Sequence, residues 1–231
     1  LKENAQHQGL TIVEPATVVT THLTEIVKEN LADLLSYALT QQLLAELDEP
    51  YQRLLGDLVP AKLTTGGIQR VLQGLLREQV SVRNMVVILE TVADYAGISK
   101  DIGFLVEKAR QALGRQICLQ YADDTKLLRV ITINPELEQK IIDSRMETAS
   151  GVVAALEPNV HRAWINALTN TLKGVQDQWE YPVILCSEAA RPLVKSSTAR
   201  EIPDLVVLSI PEIATGIQVE SLGEIKLAEQ G

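Results

Sequence analysis

Aromatic side chains make up only 3% of these 231 residues: two Trp, five Tyr and one Phe. So few rings leave little to stack on bases, sugars or flavins, which argues against nucleic-acid and cofactor sites, and any core must be aliphatic. Cysteine is nearly absent as well. Cys118 and Cys186 sit in separate apolar runs, QICLQ and PVILC, without a CxxC or Cys/His spacing, and read as buried free thiols of a reducing compartment. There is no GxGxxG, no Walker GxxxxGK[ST] and no HExxH. The three histidines, His7, His22 and His161, fall in different segments with no Cys, Ser or second His at catalytic or metal spacing. No apolar run approaches the length of a membrane span and no signal peptide opens the chain, so the piece reads as soluble and cytosolic. Its start at Leu1 reads as that of a fragment whose parent could be a membrane protein.

Other features admit ordinary readings. Gly66 and Gly67 precede a helix and could hold an anion at its N-terminus, but no Lys-Ser/Thr pair follows, so a tight turn is the expectation. The carboxylate pairs Asp123/Asp124 and Glu136/Glu138 read as turn and helix-start residues. No catalytic residue, metal ligand or cofactor is nominated, and the chain is read as a non-enzyme.

What is present is aliphatic and acidic: 46% hydrophobic residues and a net charge of −9. That is enough apolar material for one large domain or two small ones. The charge is uneven, with four basic and nine acidic residues in 1–63, seven and five in 64–120, and ten and sixteen in 121–231. An acidic chain repels a polyanion over most of its surface. A local basic patch at Arg70, Arg77 and Arg83 reads either as a solvated helix face or as a contact surface.

The strongest pattern covers residues 68–96, two amphipathic helices with a break at Val80-Ser81. Ile68, Val71, Leu72, Leu75 and Leu76 form one stripe; Val82, Met85, Val86, Leu89, Val92, Ala93 and Ala96 form the next. Ser81 is the expected cap of the second helix, the link is expected to be very short, and the two stripes need a shared partner. Upstream, Glu14-Pro15 starts a helix to about Asn30; residues 31–47 continue helical with a break near 36–40; a short helix covers 51–58; a longer one covers 101–121. Downstream the pattern changes to extended. Residues 127–133 read as a strand, Asn134-Pro135 starts a helix, 146–151 reads as a small-residue linker, 158–178 as a helix, 183–186 as a strand, Arg191-Pro192 as a helix start, and 205–208 and 217–225 as strands. The expected class is α+β: a helical subdomain followed by a small α/β subdomain with a mixed four-stranded sheet. A helix, break, helix pattern over 73–96 also suggests a helix-turn-helix DNA-binding regulator with an α/β sensor domain, although the second helix is apolar on far more than one face.

The segments VEPATVVTTHL (13–23), VLQGLLRE (71–78), ILETVADY (88–95), ALGR (112–115), PELE (135–138) and VLS (207–209) closely resemble, in collinear order, the large export-gate protein family of flagellar and injectisome type III secretion. The flagellar branch is favoured. The resemblance implies a cytoplasmic domain of a bacterial inner-membrane protein that self-associates into a ring, typically nonameric, and docks export chaperone-substrate complexes and other export-apparatus proteins. It divides the chain into a connector and the closing segment of a truncated first subdomain (1–39), a helical subdomain (40–121) and an α/β subdomain with a tail (122–231). The chaperone- and substrate-binding residues it implies are Thr21 and Thr17, with Thr20 in place of the family's alanine before Thr21-His22-Leu23. Arg70, Arg77 and Arg83 become candidates for the ring interface. The membrane region, most of the first subdomain and all of the second are missing, so chaperones are expected to bind this piece weakly or not at all.

Overall fold

The computed structural model describes residues 14–148, 151–176 and 183–227. Eight helices come first: α1 (Pro15–Glu29), α2 (Leu31–Leu34), α3 (Tyr37–Ala45), α4 (Glu49–Leu58), α5 (Thr65–Arg77), α6 (Met85–Tyr95), α7 (Ile102–Ala112) and α8 (Gly114–Tyr121). Then follow β1 (Leu127–Ile133), α9 (Pro135–Asp143), β2 (Arg145–Thr148), β3 (Gly151–Ala154), α10 (Pro158–Gln176), β4 (Val183–Cys186), α11 (Arg191–Thr198), β5 (Val206–Ser209), a 3-10 turn (Ile210–Glu212) and β6 (Gln218–Ile225).

Local chemistry sets many of these limits. Thr64 Oγ1 accepts from Gly67 N (3.0 Å) to cap α5, Asp101 Oδ1 from Phe104 N (2.7 Å) to cap α7, and Ser36 Oγ from Leu39 N (3.1 Å) to cap α3. Gly66 and Gly67 thus lie inside the first turn of α5. Asn134 caps α9 with Pro135 behind it, as expected. Helix α5 ends where Gln79 takes a left-handed φ of 57°, with Gln79 N on Leu76 O and Val80 N on Leu75 O. The turn before β1 is built by Asp123, whose Oδ1 accepts from Thr125 N and Leu127 N.

The pair α5 and α6 is joined by residues 78–84, a longer link than expected, and Ser81 does not cap α6. Its hydroxyl accepts only a weak bond from Arg83 N at 3.4 Å, and Asn84 stands at the cap position without a side-chain bond. Both stripes do share a partner, since α5 and α6 each pack on α7. The segment before them is tied to α5 by side-chain amides: Gln69 Nε2 donates to Leu35 O (2.9 Å) and Gln73 Nε2 to Ala32 O (3.0 Å), satisfying carbonyls left open at the end of α2. The helix expected over 101–121 is two helices. At Gly114 the backbone meets the Glu212 carbonyl so closely that a Cβ would lie 2.3 Å from that oxygen.

The α+β class holds, but all four strands of the main sheet run parallel, in the order β5-β4-β1-β6. The connections β1 to β4 and β4 to β5 pass through helices, as parallel neighbours require. The last link uses the 3-10 turn, on the helical side against α7 and α8, to reach the opposite edge, so β5 and β6 are not a hairpin. Residues 146–151 are no linker either; β2 and β3 pair antiparallel. Thr148 Oγ1 donates to Gly151 O, and Ala154 N donates to Ser196 Oγ of α11.

Both faces of the sheet are buried. Leu128, Val130, Val183 and Leu208 join the aliphatic core of the helices; Ile131, Ile133, Ile184 and Val207 face a second core with Leu137, Ile141, Trp164, Leu168, Leu193 and Val194 from α9, α10 and α11. Trp164 is fully buried, its indole donating to Ser197 Oγ at 3.1 Å. The helical and α/β parts therefore share one layer of core through the sheet.

Overpacking a tight site typically costs about 1–3 kcal/mol, whereas removing glycine's backbone freedom in an open helix gains about 0.5–1 kcal/mol. Gly114→Ala should lower stability to urea by an amount in the first range, and Gly56→Ala, with nothing within 4 Å of its added carbon, should raise it. A neutral Gly114→Ala would show that the contact with Glu212 yields easily.

Candidate functional site

The helical and α/β parts meet over a buried set of charges. Arg191 opens α11 and is only 2% exposed, yet it reaches two helices. Its Nη1 and Nη2 donate to Glu78 Oε2 (2.6 Å) and Oε1 (3.0 Å), just beyond α5, while Nε donates to Glu107 Oε2 (2.5 Å) on α7 and Nη2 to Glu107 Oε1. Arg110, also on α7 and equally buried, donates from Nη1 to Glu78 Oε2 (2.8 Å) and from Nη2 to Val207 O on β5 (3.2 Å). Arg110 Nη2 also lies 2.8 Å from Glu212 Oε1, but out of line for a hydrogen bond, so that contact is ionic. Glu212 Oε2 accepts from Ser209 N (2.6 Å) and Ser209 Oγ (2.8 Å) at the end of β5.

Burial acts first on these groups and pairing second. Desolvation alone would raise the Glu78 carboxyl, but Arg191 and Arg110 overcome it and hold it at about 2. At Glu107 desolvation prevails over Arg191, and its carboxyl is pushed above the ordinary range. Desolvation opposes the charge on Arg191 too, yet Glu78 and Glu107 raise its pKa still further above the ordinary arginine value. Lys195 is lowered by burial and donates to Pro203 O (2.8 Å) and Leu205 O (2.7 Å). Beside the cluster opens a cleft of about 340 Å³, lined by Lys28, Arg77, Gln79, Tyr121, Lys195 and Asp204 among others.

Of the residues nominated from sequence, Arg77 borders this cleft and the others lie elsewhere. Thr17 and Thr21 are exposed one turn apart on α1, a helix with no buried residue, where Val18, Val19, Leu23, Ile26 and Val27 are exposed too. The Thr20 hydroxyl is turned back onto Ala16 O at 2.9 Å, so it adds little polarity beside Thr21. Arg70 and Arg77 are exposed two turns apart on α5, Arg83 is exposed in the link, and none of the three forms an ion pair among the described residues. His22 is exposed; His161 Nε2 lies 2.9 Å from Ser197 O; His7 lies outside the described residues. Glu138 does more than start a helix, accepting from Ser187 N at 2.9 Å. Both cysteines are buried and free, with Cys118 Sγ donating to Glu212 O. Among the described residues, no group of three His, Cys, Asp or Glu could hold a metal, and no helix is long and apolar enough to cross a membrane.

Sequence reasoning missed the buried cluster entirely. Its partners are 32 to 113 residues apart. The available signal was weak: Arg191 begins a helix whose other inward positions are small or apolar. The helix-turn-helix reading fails on packing. In α6, Met85, Ile88, Leu89, Val92 and Ala93 are buried, while Glu90 and Asp94 are exposed and would repel phosphates.

A sequence profile described as the FHIPEP family matches residues 1–218. The chain belongs to the FHIPEP family. Curated relatives agree. It is 42% identical over 228 residues to the flagellar biosynthesis protein FlhA of Borreliella burgdorferi, covering 99% of this chain and 33% of that protein. It is 37% identical over 227 residues to FlhA of Bacillus subtilis, covering 98% of this chain and 34% of that one. The chain thus spans about a third of the length of the curated relatives it matches. Among solved structures, the cryo-EM structure of nonameric EPEC SctV-C matches at a TM-score of 0.84 with 27% identity, over 97% of this chain and 68% of that one. This FHIPEP chain is therefore part of a flagellar and type III secretion export-gate family, whose closely matched curated members are flagellar.

Breaking a buried ion pair by removing one partner costs about 3–5 kcal/mol. Arg191→Met should lose an amount in that range in urea unfolding, because Glu107 is left without its cation, and adding Glu78→Gln and Glu107→Gln should restore most of it. Glu78, held below its ordinary 4.5, adds stability that is full above that pH and lost as pH falls toward about 2. In Glu78→Gln the loss of stability over that window should shrink; an unchanged acid profile would remove Glu78 as its source.

Proposed function

We propose that this chain is the ring-forming cytoplasmic part of an export gate in a flagellar protein secretion apparatus, an injectisome being the second reading, with its parent in the inner membrane. The observation that carries this is the match to FlhA proteins over nearly all of this chain together with the likeness to a nonameric relative. Residues 1–39 are read as a connector and the closing segment of a first subdomain, 40–121 as the helical subdomain and 122–231 as the α/β subdomain with its tail.

Two exposed faces serve as contact surfaces in this reading. Arg70, Arg77 and Arg83, free of intramolecular ion pairs among the described residues, meet acidic groups of a neighbouring copy. Helix α1, with Thr17 and Thr21 beside an uncovered apolar stripe, belongs to the surface that docks export chaperone-substrate complexes and other export-apparatus proteins. Docking by these 231 residues on their own should be weak, since they correspond to about a third of the FlhA relatives' length.

Sedimentation of the 231-residue chain across a rising concentration series should show self-association, weakened about tenfold or more by Arg77→Glu at low salt and less so at high salt, as exposed charges are screened. A monomer at every concentration, here and in a longer version carrying the upstream region, would sink the ring reading. An Arg77→Glu chain that assembles normally would only take Arg77 off the interface. In calorimetry, flagellar export chaperones should give no nanomolar complex with this chain; finding one would show that these 231 residues suffice for docking.

A further inference from the structure

The junction between the helical and α/β parts contains one carboxylate too many. Among the described residues, Glu78, Glu107 and Glu212 face only Arg110 and Arg191 at pairing distance; Lys195 is bonded to two carbonyls. Arg110 serves Glu78 and Glu212, and Arg191 serves Glu78 and Glu107, so Glu107 and Glu212 each depend on one divided cation; Glu212 is held as well by Ser209 N and Oγ, which leaves Glu107 the least supported of the three. Around Glu107, α11 offers Arg191, the end of α5 offers Glu78, and α7 itself offers Arg110, while the 3-10 turn adds Glu212 through Arg110. Helices α6 and α8 and strand β3 also pack on α7, but none of their charged residues is among the groups acting on Glu107.

We propose that Glu107 is a proton-accepting switch in this junction: ionised, it holds Arg191 between α7 and α5, and protonated, it releases Arg191 to Glu78 alone. The order of proton uptake follows from the surroundings. Burial raises the Glu107 carboxyl above its ordinary 4.5, whereas Glu78 stays ionised down to about 2, so the proton enters Glu107 first and leaves Glu78 charged to receive the guanidinium. The sign of the linkage is opposite for the two groups. For Glu107, whose folded value is raised, stability is full below pH 4.5 and declines as pH rises through the folded value; for Glu78 it declines on acidification below 4.5. The movable element is the start of α11, and α11 carries its own reporter, since Ser197 accepts from the Trp164 indole.

The test is NMR on the folded chain with Trp179→Phe, leaving Trp164 as the sole indole. Carbon-13 titration of the Glu107 carboxyl should show a midpoint above 4.5, and the Trp164 indole N–H should shift with the same midpoint. In Glu107→Gln, whose amide stands in for the protonated acid, the indole should sit at the parent's acid position and stop titrating. A Glu107 midpoint at or below 4.5, or an indole titration that persists in Glu107→Gln, overturns the proposal. Should Glu107→Gln fail to fold, the carboxyl titration of the parent chain decides alone.

Discussion

Two guanidinium groups and three carboxylates have been taken out of water where this chain's two halves meet, and each such transfer costs several kcal/mol unless the partners are in place. Arg191 obtains them only if α11, α7 and the end of α5 converge. Arg110 does so only if the turn after β5 brings Glu212 beside α7. The apolar layers would tolerate many relative placements of helices on a sheet, because hydrophobic contact is non-directional. The charges tolerate very few. Packing supplies the attraction between the two parts, and the ion pairs select the register in which they join.

Much of the framework was legible because its signals are local. The β-branched run of β1, Asn134 and Pro135 before α9, Pro15 at the start of α1 and the stripes on α5 and α6 each declare an element within a few residues. Misread features had causes lying far along the chain. Whether β6 runs parallel depends on how residues 210–217 cross the sheet, and the break between α7 and α8 coincides with a backbone oxygen almost a hundred residues downstream. The hairpin β2–β3 escaped notice because β2 is wholly exposed and lacks the buried alternation by which strands are recognised. The ion-pair cluster was illegible for the same reason as the sheet direction, since a lone Arg at a helix start looks like any solvated charge until its partners are folded against it.

The functional surfaces show the converse. Thr17 and Thr21 come from family resemblance and Arg70, Arg77 and Arg83 from the charge pattern; the fold sets them all on the exterior, with Arg77 alone bordering the cleft beside the junction. Within the described residues this separates two roles. The interior holds the joint between the two parts, and the exterior keeps α1 and the outer face of α5 open. An α1 with a full apolar stripe and no buried residue gains little from this chain alone, so its stability as a helix rests on local features: the preset φ of Pro15 at the first position and the Asn30 hydrogen bonds at the end.

The bond from Arg110 to Val207 reaches beyond charge balance. Strand β5 lies at the border of a parallel sheet, and a border strand offers unpaired backbone groups that a second chain can match. Arg110 already occupies a carbonyl in the middle of β5, and Glu212 occupies the Ser209 amide at its end. The same residues that align the two halves thereby make β5 a poor template for sheet extension. In the proposed ring, this would steer encounters between copies to side-chain faces and away from backbone pairing and aggregation.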